Sequence, residues 1–251
     1  MCTTRKLDNC NDNFLPYKSP SDPSFRRDEI RKKNLENILE SLKKINQTKK
    51  KDFLWYKRQI QTLFKIKKEK DITSTYKYFL AGFIAGEGSF NVSAKKTKGG
   101  KYGVSFDPEF SVTQHLDKVE YLYSFLSLFH TGRIVARRGK VGSKSTLVYR
   151  ISDRKSISEK VIPFIEKYLS PHQGQIDLKR LYLFKKLVSF LLEKKHLDLE
   201  FFKNQIIPLY YKLRKQIGQS NQSFTDLKEI YLFVDNFIKE KSSSSVKKKK
   251  L

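Results

Sequence analysis

The segment from Tyr78 to Phe90, YFLAGFIAGEGSF, constrains the fold more than any other part of the sequence. It is an apolar run that carries three glycines and two alanines, with one carboxylate, Glu87, near its end. A glycine inside a soluble helix costs about 1 kcal/mol relative to alanine, so two glycines within one turn require a packing reason. The run is too short to span a bilayer, because a membrane helix needs about 20 apolar residues.

Small residues four apart leave one face of this predicted helix bare of side chains. Such a face lets two helix backbones approach closely. We therefore predict a helix-to-helix interface formed by Ala81, Gly82, Ala85 and Gly86. From Ser89 to Lys95 the sequence alternates with period two, which predicts that the helix gives way to a strand near Glu87.

The predicted helix end has an electrostatic consequence. Its last carbonyls lack helical donors and carry the negative end of the helix dipole, and Glu87 adds a full negative charge. Oxygen ligands and negative charge suit a divalent cation. From the residues alone, a buried apolar helix that ends at glycine with an exposed Glu is an equally good interpretation.

The charge balance of the chain points to a polyanionic partner. Lys and Arg number 52 against 26 acidic residues, a net charge of +26. Nucleic acid is the first candidate and an anionic membrane surface the second. We find no secretory signal or transmembrane span and expect no membrane insertion. Cys2 and Cys10 form neither a metal-ligand pattern nor a disulfide framework.

Hydrophobic periodicity along the chain predicts an α+β domain of order α-β-β-α-β-β-α, with helical extensions at both ends. The predicted hairpins are 89–97 with 102–113 and 132–138 with 145–152; the predicted helices are 26–46, 50–68, 115–130, 156–169, 176–195, 197–217 and 224–241. The predicted divisions are a flexible N-terminus at 1–25, a basic helical extension at 26–70, the main domain with its C-terminal helices at 71–240 and a disordered basic tail at 241–251.

The stretch from Leu80 to Gly88, LAGFIAGEG, resembles the signature of the LAGLIDADG homing endonucleases. The stretches DPEFSVTQH and RKQIGQSN extend the similarity over about Lys50 to Lys239, to single-motif enzymes encoded by group I introns in organellar large-subunit rRNA genes of green algae. The resemblance implies a site-specific endonuclease that makes a metal-dependent double-strand break in a long pseudo-palindromic DNA site of an intron-less rRNA gene. It also implies an organellar protein, and we expect the chloroplast rather than the mitochondrion.

The resemblance also assigns roles to individual residues. Glu87 falls on the metal-binding acid and the Gly86 carbonyl supplies a second oxygen, for Mg²⁺ or Mn²⁺ at two or three ions per dimer. Gln114 matches a water-ordering residue, and Lys179, beside Arg180, is the nearest match to the basic active-site residue. The chain contains no second copy of the motif, so we expect a homodimer in which two acids converge on the two-fold axis.

Strand alternation predicts a polar sheet face able to enter the major groove of double-stranded DNA. The residues predicted to line it are Ser89, Asn91, Ser93, Lys95, Ser105, Asp107, Glu109, Ser111, Thr113, Arg133, Arg137, Lys144, Thr146 and Arg150. A catalytically inactive nucleic-acid binder or an RNA maturase would keep this face and need no acid. Glu87 is therefore the residue that separates these interpretations.

Overall fold

A four-stranded antiparallel sheet organises the main part of the chain. The computed structural model describes residues 23–49, 51–137, 146–217, 224 and 226–248. The strands are β1 (Gly88–Lys96), β2 (Val104–His115), β3 (Arg133–Ala136) and β4 (Thr146–Ile151), in the spatial order β1-β2-β4-β3. Both predicted hairpins are therefore confirmed, and β1 and β3 form the sheet edges.

One face of the sheet is the hydrophobic core. The side chains of Phe106, Phe110 and Tyr149 are at most 1% exposed. Three helices cover this face: α3 (Ser74–Glu87), α4 (Val119–Phe129) and α7 (Gln175–Leu192). Full burial of each large apolar side chain contributes about 1.5–3 kcal/mol, so this face stabilises the position of all three helices.

The remaining helices complete the predicted order. They are α1 (Pro23–Gln47), α2 (Phe53–Leu63), α5 (Arg154–Ser156), α6 (Ile162–Tyr168), α8 (Leu199–Phe201), α9 (Ile207–Ile217) and α10 (Leu227–Lys248). The α-β-β-α-β-β-α order and the α+β class are confirmed. Among the described residues, no helix is both long enough and apolar enough to cross a membrane.

Two short π-helical segments have a common cause. Ile157–Val161 joins α5 to α6, and Phe202–Ile206 joins α8 to α9. Each is followed two residues later by a proline, Pro163 or Pro208. Proline lacks an N–H donor and its ring clashes with the carbonyl four residues earlier, which here lies inside the π segment. The local widening of the helix relieves that clash.

The strand β2 extends further than the sequence predicts. It continues through Gln114 and His115, which pair with Leu147 and Thr146 of β4. A 3₁₀ turn at Leu116–Lys118 follows, and α4 begins at Val119 rather than at His115. The non-local pairing with β4 outweighs the helical pattern of the sequence at this point.

The N-terminal boundary also differs from the predicted one. The chain divides into compact units at Met1–Ser41 and Leu42–Leu251, rather than at residue 70. Within the second unit, the Tyr56 hydroxyl accepts the Ile134 N–H at 2.8 Å and Asn46 donates to the Ile134 carbonyl at 2.9 Å. The Tyr56 bond makes α2 part of the main unit, and the Asn46 bond connects the last turn of α1 to β3. In the first unit, residues 23–41 are helical, and most of the predicted flexible N-terminus lies outside the described residues.

Helix α10 continues as far as Lys248, through residues that the sequence predicts as part of a disordered tail. Within it, the Ser243 hydroxyl satisfies its hydrogen bond inside the helix by donating to the Lys239 carbonyl at 2.9 Å. Once a helix is formed, each added residue gains a hydrogen bond, so extension costs less than the composition suggests.

Candidate functional site

The helix α3 ends in an exposed acid. Thr73 caps its start, since the Thr73 hydroxyl accepts the Tyr76 N–H at 3.2 Å. At the other end the Gly88 N–H donates to the Ile84 carbonyl, so the carbonyls of Ala85, Gly86 and Glu87 have no helical donor. The Glu87 side chain is exposed, and no cation in the described part of the chain forms an ion pair with it.

Gly88 fixes the sharp passage from helix to strand. A Cβ at this position would lie 2.6 Å from the Ile84 Cγ2 atom, closer than real side chains come. Only glycine fits at this position, and its small size allows the backbone to pass directly from α3 into β1 after Glu87. The carboxylate is thereby held where the helix meets the sheet.

Gln114 lies at the same end of the sheet as Glu87. The first residue of β1, Gly88, pairs with Val112, and Gln114 follows Val112 by two residues. Its side chain is half-buried, and its Oε1 atom accepts the His115 N–H at 2.7 Å. This bond restrains the amide and leaves the amino group able to donate to another partner.

Two cations lie near the start of α7. The Lys179 side chain faces solvent, and the Arg180 side chain faces the interior. Lys179 is exposed, whereas the Arg180 Nη2 atom donates to the Phe90 carbonyl at 2.9 Å. Burial lowers the pKa of Arg180, and the nearby Asp177 opposes that shift. The buried Arg180 Nε atom has no hydrogen-bond partner within the described residues. Helical spacing could have distinguished the two cations, because Arg180 is four residues before the buried Phe184.

A cavity of about 260 Å³ connects this cation to the end of α3. Ala85 and Gly88 line it on one side, and His172, Asp177 and Arg180 on another. The sequence analysis assigned no role to His172 or Asp177. The start of α7 therefore lies beside the turn that carries Glu87, and both basic residues belong to that corner of the molecule.

The outer face of the sheet is polar, as strand alternation predicts. Neighbouring pairs across it include Asn91 with Glu109 and Arg133 with Arg150. The described members of the predicted face are all exposed or half-exposed; they are Ser89, Asn91, Ser93, Lys95, Ser105, Asp107, Glu109, Ser111, Thr113, Arg133, Arg137, Thr146 and Arg150. The remaining member, Lys144, lies outside the described residues.

Two acids on this face pair with its cations. Lys95 Nζ lies 2.8 Å from Asp107 Oδ2, and Arg150 Nη1 lies 3.7 Å from Glu109 Oε2. These groups are largely exposed, and exposed pairs of this kind exchange readily for other partners. The face therefore presents both cationic donors and anionic acceptors within a strongly basic chain.

The outward side of α3 is poor in side chains. Gly82, Ala85 and Gly86 are exposed, and a Cβ added at Gly82 or Gly86 would contact nothing within 4 Å. Ala81 does not belong to this surface, because it is 1% exposed and packs inside its own chain. The predicted interface is thus reduced to three residues, with Tyr78 and Phe79 exposed beside them.

The fold and the site together define an endonuclease of the LAGLIDADG class. The family model for LAGLIDADG endonucleases matches residues 80–188, which include the C-terminal half of α3, the sheet and most of α7. The chain belongs to this family, as the relatives below also establish. Enzymes of this family use divalent metal ions.

Individual relatives extend the match. The chain is 45% identical over 203 residues to DNA endonuclease I-CeuI of Chlamydomonas moewusii, covering 80% of this chain and 91% of the relative. The structure of group I intron-encoded I-CeuI in complex with DNA superposes with a TM-score of 0.71, covering 79% of this chain and 95% of that one. An archaeal relative complexed with DNA, I-Vdi141I, is 28% identical with a TM-score of 0.54, covering 65% and 96% of the two chains.

Proposed function

We propose that the chain is a site-specific DNA homing endonuclease that acts as a homodimer. Its substrate is a long pseudo-palindromic site in an intron-less rRNA gene, and it breaks both strands. The observation that carries the proposal is Glu87, an exposed carboxylate at the end of a helix whose outer side is bare of side chains. A binder without activity would not require an acid in this position.

The outer sheet face is the proposed surface for base recognition. A two-stranded ribbon fits the major groove, where arginine pairs with guanine and asparagine with adenine through two hydrogen bonds. The arginines and the asparagine on the described part of this face have that capacity; they are Arg133, Arg137, Arg150 and Asn91. The surrounding lysines contact phosphates, which supply affinity without sequence information.

The two copies of α3 meet through Gly82, Ala85 and Gly86, in our proposal. Small residues permit close backbone approach, and a two-fold axis between the helices brings two Glu87 carboxylates together. One chain offers a single such acid, and the second comes from the partner. This arrangement places one acid near each of the two DNA strands.

The residues at the end of α3 fit a divalent metal ion. An exposed carboxylate without a partner and adjacent free carbonyls are oxygen ligands of the kind that Mg²⁺ or Mn²⁺ prefers. We propose Glu87 and the Gly86 carbonyl as ligands, with two or three ions per dimer. The bound metal would stabilise negative charge that develops on phosphodiester oxygens.

The chain's own side chains supply the remaining steps. The Gln114 amide orients a water molecule for attack, since its oxygen is already restrained by the His115 N–H. A cation at the start of α7 stabilises the developing charge on the phosphate. Lys179 is our candidate because it is exposed, whereas Arg180 is half-buried and bonded to Phe90.

The expected location is an organelle, the chloroplast rather than the mitochondrion. The support is the similarity to I-CeuI, an intron-encoded enzyme of an alga. Localisation of a tagged chain in algal cells would test this expectation, and exclusive recovery from the nucleus or cytosol would contradict it.

The function is tested by incubation with intron-less rRNA-gene DNA, with and without Mg²⁺. We expect two discrete fragments with Mg²⁺ only. A matched sample of Glu87→Gln protein should bind the same DNA and leave it intact. Binding without cutting by the unaltered chain would instead support an inactive binder, and specific retention of intron RNA would support a maturase.

A further inference from the structure

The turn between β1 and β2 lies directly against helix α10. We call residues 97–103 the hairpin tip. Gly103 ends it with a φ of +74°, and its N–H donates to the Gly100 carbonyl at 3.4 Å. A Cβ at Gly103 would lie 2.7 Å from the Phe237 ring and 3.0 Å from the Phe233 ring. Two aromatic side chains of α10 therefore touch the backbone of the hairpin tip.

A charged side chain makes a second connection to the C-terminal helices. The Lys96 Nζ atom, at the end of β1, lies 5.1 Å from the Phe224 ring centroid and 5.2 Å from that of Phe233. It also lies 3.5 Å from Glu229 Oε1. Cation–π and ionic attraction thus connect the last residue of the strand to this part of the chain.

A third connection comes from the segment before α8. Lys101 Nζ and the Tyr102 hydroxyl both donate to the Leu197 carbonyl, at 2.7 Å and 2.5 Å. The Tyr102 ring also packs on Phe202 with centroids 5.1 Å apart. Two sets of contacts hold the hairpin tip itself and a third holds Lys96 directly before it, and all of them come from residues beyond Lys194.

The hairpin tip is the part of the ribbon furthest from Glu87 along the strand. The nine residues of β1 begin directly after Glu87 and advance about 3.3 Å each, a span of roughly 26 Å. At about 3.4 Å per base pair, that span corresponds to roughly eight base pairs. A two-stranded hairpin without support is only marginally stable, so base contacts at this distance require the tip to be held.

We propose that Phe233 and Phe237 of α10 are positioning residues for recognition of the outer base pairs of the target. They hold the hairpin tip, and with it Lys95 and Ser105, in a fixed orientation toward the DNA. They take no part in cleavage. This inference rests on the proposed function, because it assumes that the outer sheet face contacts bases.

The test compares Phe237→Ala with Leu232→Ala, a control on the same helix at a position that is 63% exposed. The value of kcat/KM is measured on a set of DNA targets, each with one substituted base pair. Discrimination is the ratio of kcat/KM on the unaltered target to kcat/KM on a substituted target. We expect Phe237→Ala to lower this ratio about tenfold for substitutions at the outer base pairs. The ratio for base pairs near the cut, and kcat on the unaltered target, should not change. Lys96→Met, which keeps the apolar stem, should have the same effect to a smaller degree.

Two outcomes for Phe237→Ala would overturn the inference. One is unchanged discrimination at the outer base pairs, and the other is an equal loss of discrimination at every base pair of the target. A second measurement needs no DNA and so separates this inference from the proposed function. Amide exchange at residues 97–103 should accelerate about tenfold in Phe237→Ala, while exchange in α4 stays the same. Unchanged exchange at the hairpin tip, or faster exchange throughout, contradicts local positioning even if the unaltered chain cuts DNA.

Discussion

Glu87 is placed where an acid does little for stability. It lies at the negative end of a helix dipole, next to carbonyls without helical donors, and has no ion-pair partner among the described residues. Local departures from stabilising patterns are expected at functional sites, where the chemistry outweighs their cost. Its glycine-rich context and its charge made Glu87 a candidate metal ligand from the sequence, and that role stays a prediction.

Glu87→Gln should reduce the cleavage rate by at least about 100-fold, because even residues that only support a metal ligand contribute 10–100-fold. DNA affinity should change little, since the sheet face is intact. Cleavage and binding are measured on the same target, with the exposed Glu120→Gln variant as control. An equal loss of binding and cutting would mean that Glu87 acts in DNA association.

Tyr56 connects α2 to β3 and makes stability depend on pH. Burial raises its pKa from 10.0 to about 12, so the folded state favours the neutral hydroxyl. Its contribution to stability is complete below pH 10 and is lost as the pH rises from 10 to 12. Burial also raises the pKa of Tyr149 well above its ordinary value, so both tyrosines act in the same direction.

Tyr56→Phe should lower the free energy of unfolding by about 1–3 kcal/mol at neutral pH, because the Ile134 N–H loses its acceptor. The fall in stability between pH 10 and 12 should become shallower. Denaturant unfolding across this range checks both effects, with Tyr182→Phe, 60% exposed, as control. If Tyr56→Phe were as stable as the parent chain both at neutral pH and near pH 12, the bond from the Ile134 N–H to the Tyr56 hydroxyl would be contradicted.

At the level of the elements, α3 combines a buried side and an open one. Leu80, Ala81 and Ile84 pack inside the chain, while Gly82, Ala85 and Gly86 face outward. Because a side chain at Gly82 would meet nothing within 4 Å, the single chain tolerates substitution there. Any effect of a larger residue must then come from association between copies.

Gly82→Leu should convert the dimer to monomers, because the leucine separates the two helices. Analytical ultracentrifugation measures the change, and circular dichroism should report an intact fold. Gly82→Ala is the matched control; it keeps a small residue and gains about 1 kcal/mol of helix propensity. If Gly82→Leu sediments as a dimer, the interface lies elsewhere.

Sequence patterns predicted the elements better than their limits and connections. Alternation assigned the two faces of β1, β2 and β4 correctly, because burial follows the period of two. In β3 it fails at Ala136, which the same period places inward beside Ile134 but which is exposed at the end of the strand. The order β1-β2-β4-β3 was not predicted, since β2 and β4 pair across more than thirty residues of sequence. The bond that the Tyr56 hydroxyl accepts from the Ile134 N–H joins α2 to the main unit, and composition does not indicate such a bond.

For the candidate site, the sequence likewise indicated the main residues but not all of their orientations. The motif placed Glu87 and the open side of α3, but helical spacing alone could not decide that Ala81 faces inward. Helical spacing from the buried Phe184 could indicate that Arg180 faces inward, but its partner, the Phe90 carbonyl on the edge strand β1, was not predictable. Such contacts between distant segments require knowledge of the tertiary arrangement.

At the scale of the molecule, a net charge of +26 should make DNA affinity strongly dependent on salt. Each neutralised phosphate releases condensed counterions, so 6–10 such contacts cost about 10³–10⁵ in affinity between roughly 50 and 200 mM salt. A filter-binding titration at several salt concentrations measures the slope. A flat dependence would contradict extensive phosphate contact by the basic chain.

Two ion pairs, Lys95–Asp107 and Arg150–Glu109, lie on the outer sheet face of the free protein. Their carboxylates compete with DNA for the same two cations. When Lys95 or Arg150 binds a nucleotide, its ion pair with the carboxylate is broken. The carboxylate then needs another hydrogen-bond donor. Cytosine amino groups can satisfy such acids, whereas phosphates repel them. If the outer sheet face contacts bases as proposed, mismatched sequences leave these carboxylates facing repulsion, so the acids that weaken general attraction to DNA also penalise binding at incorrect sites.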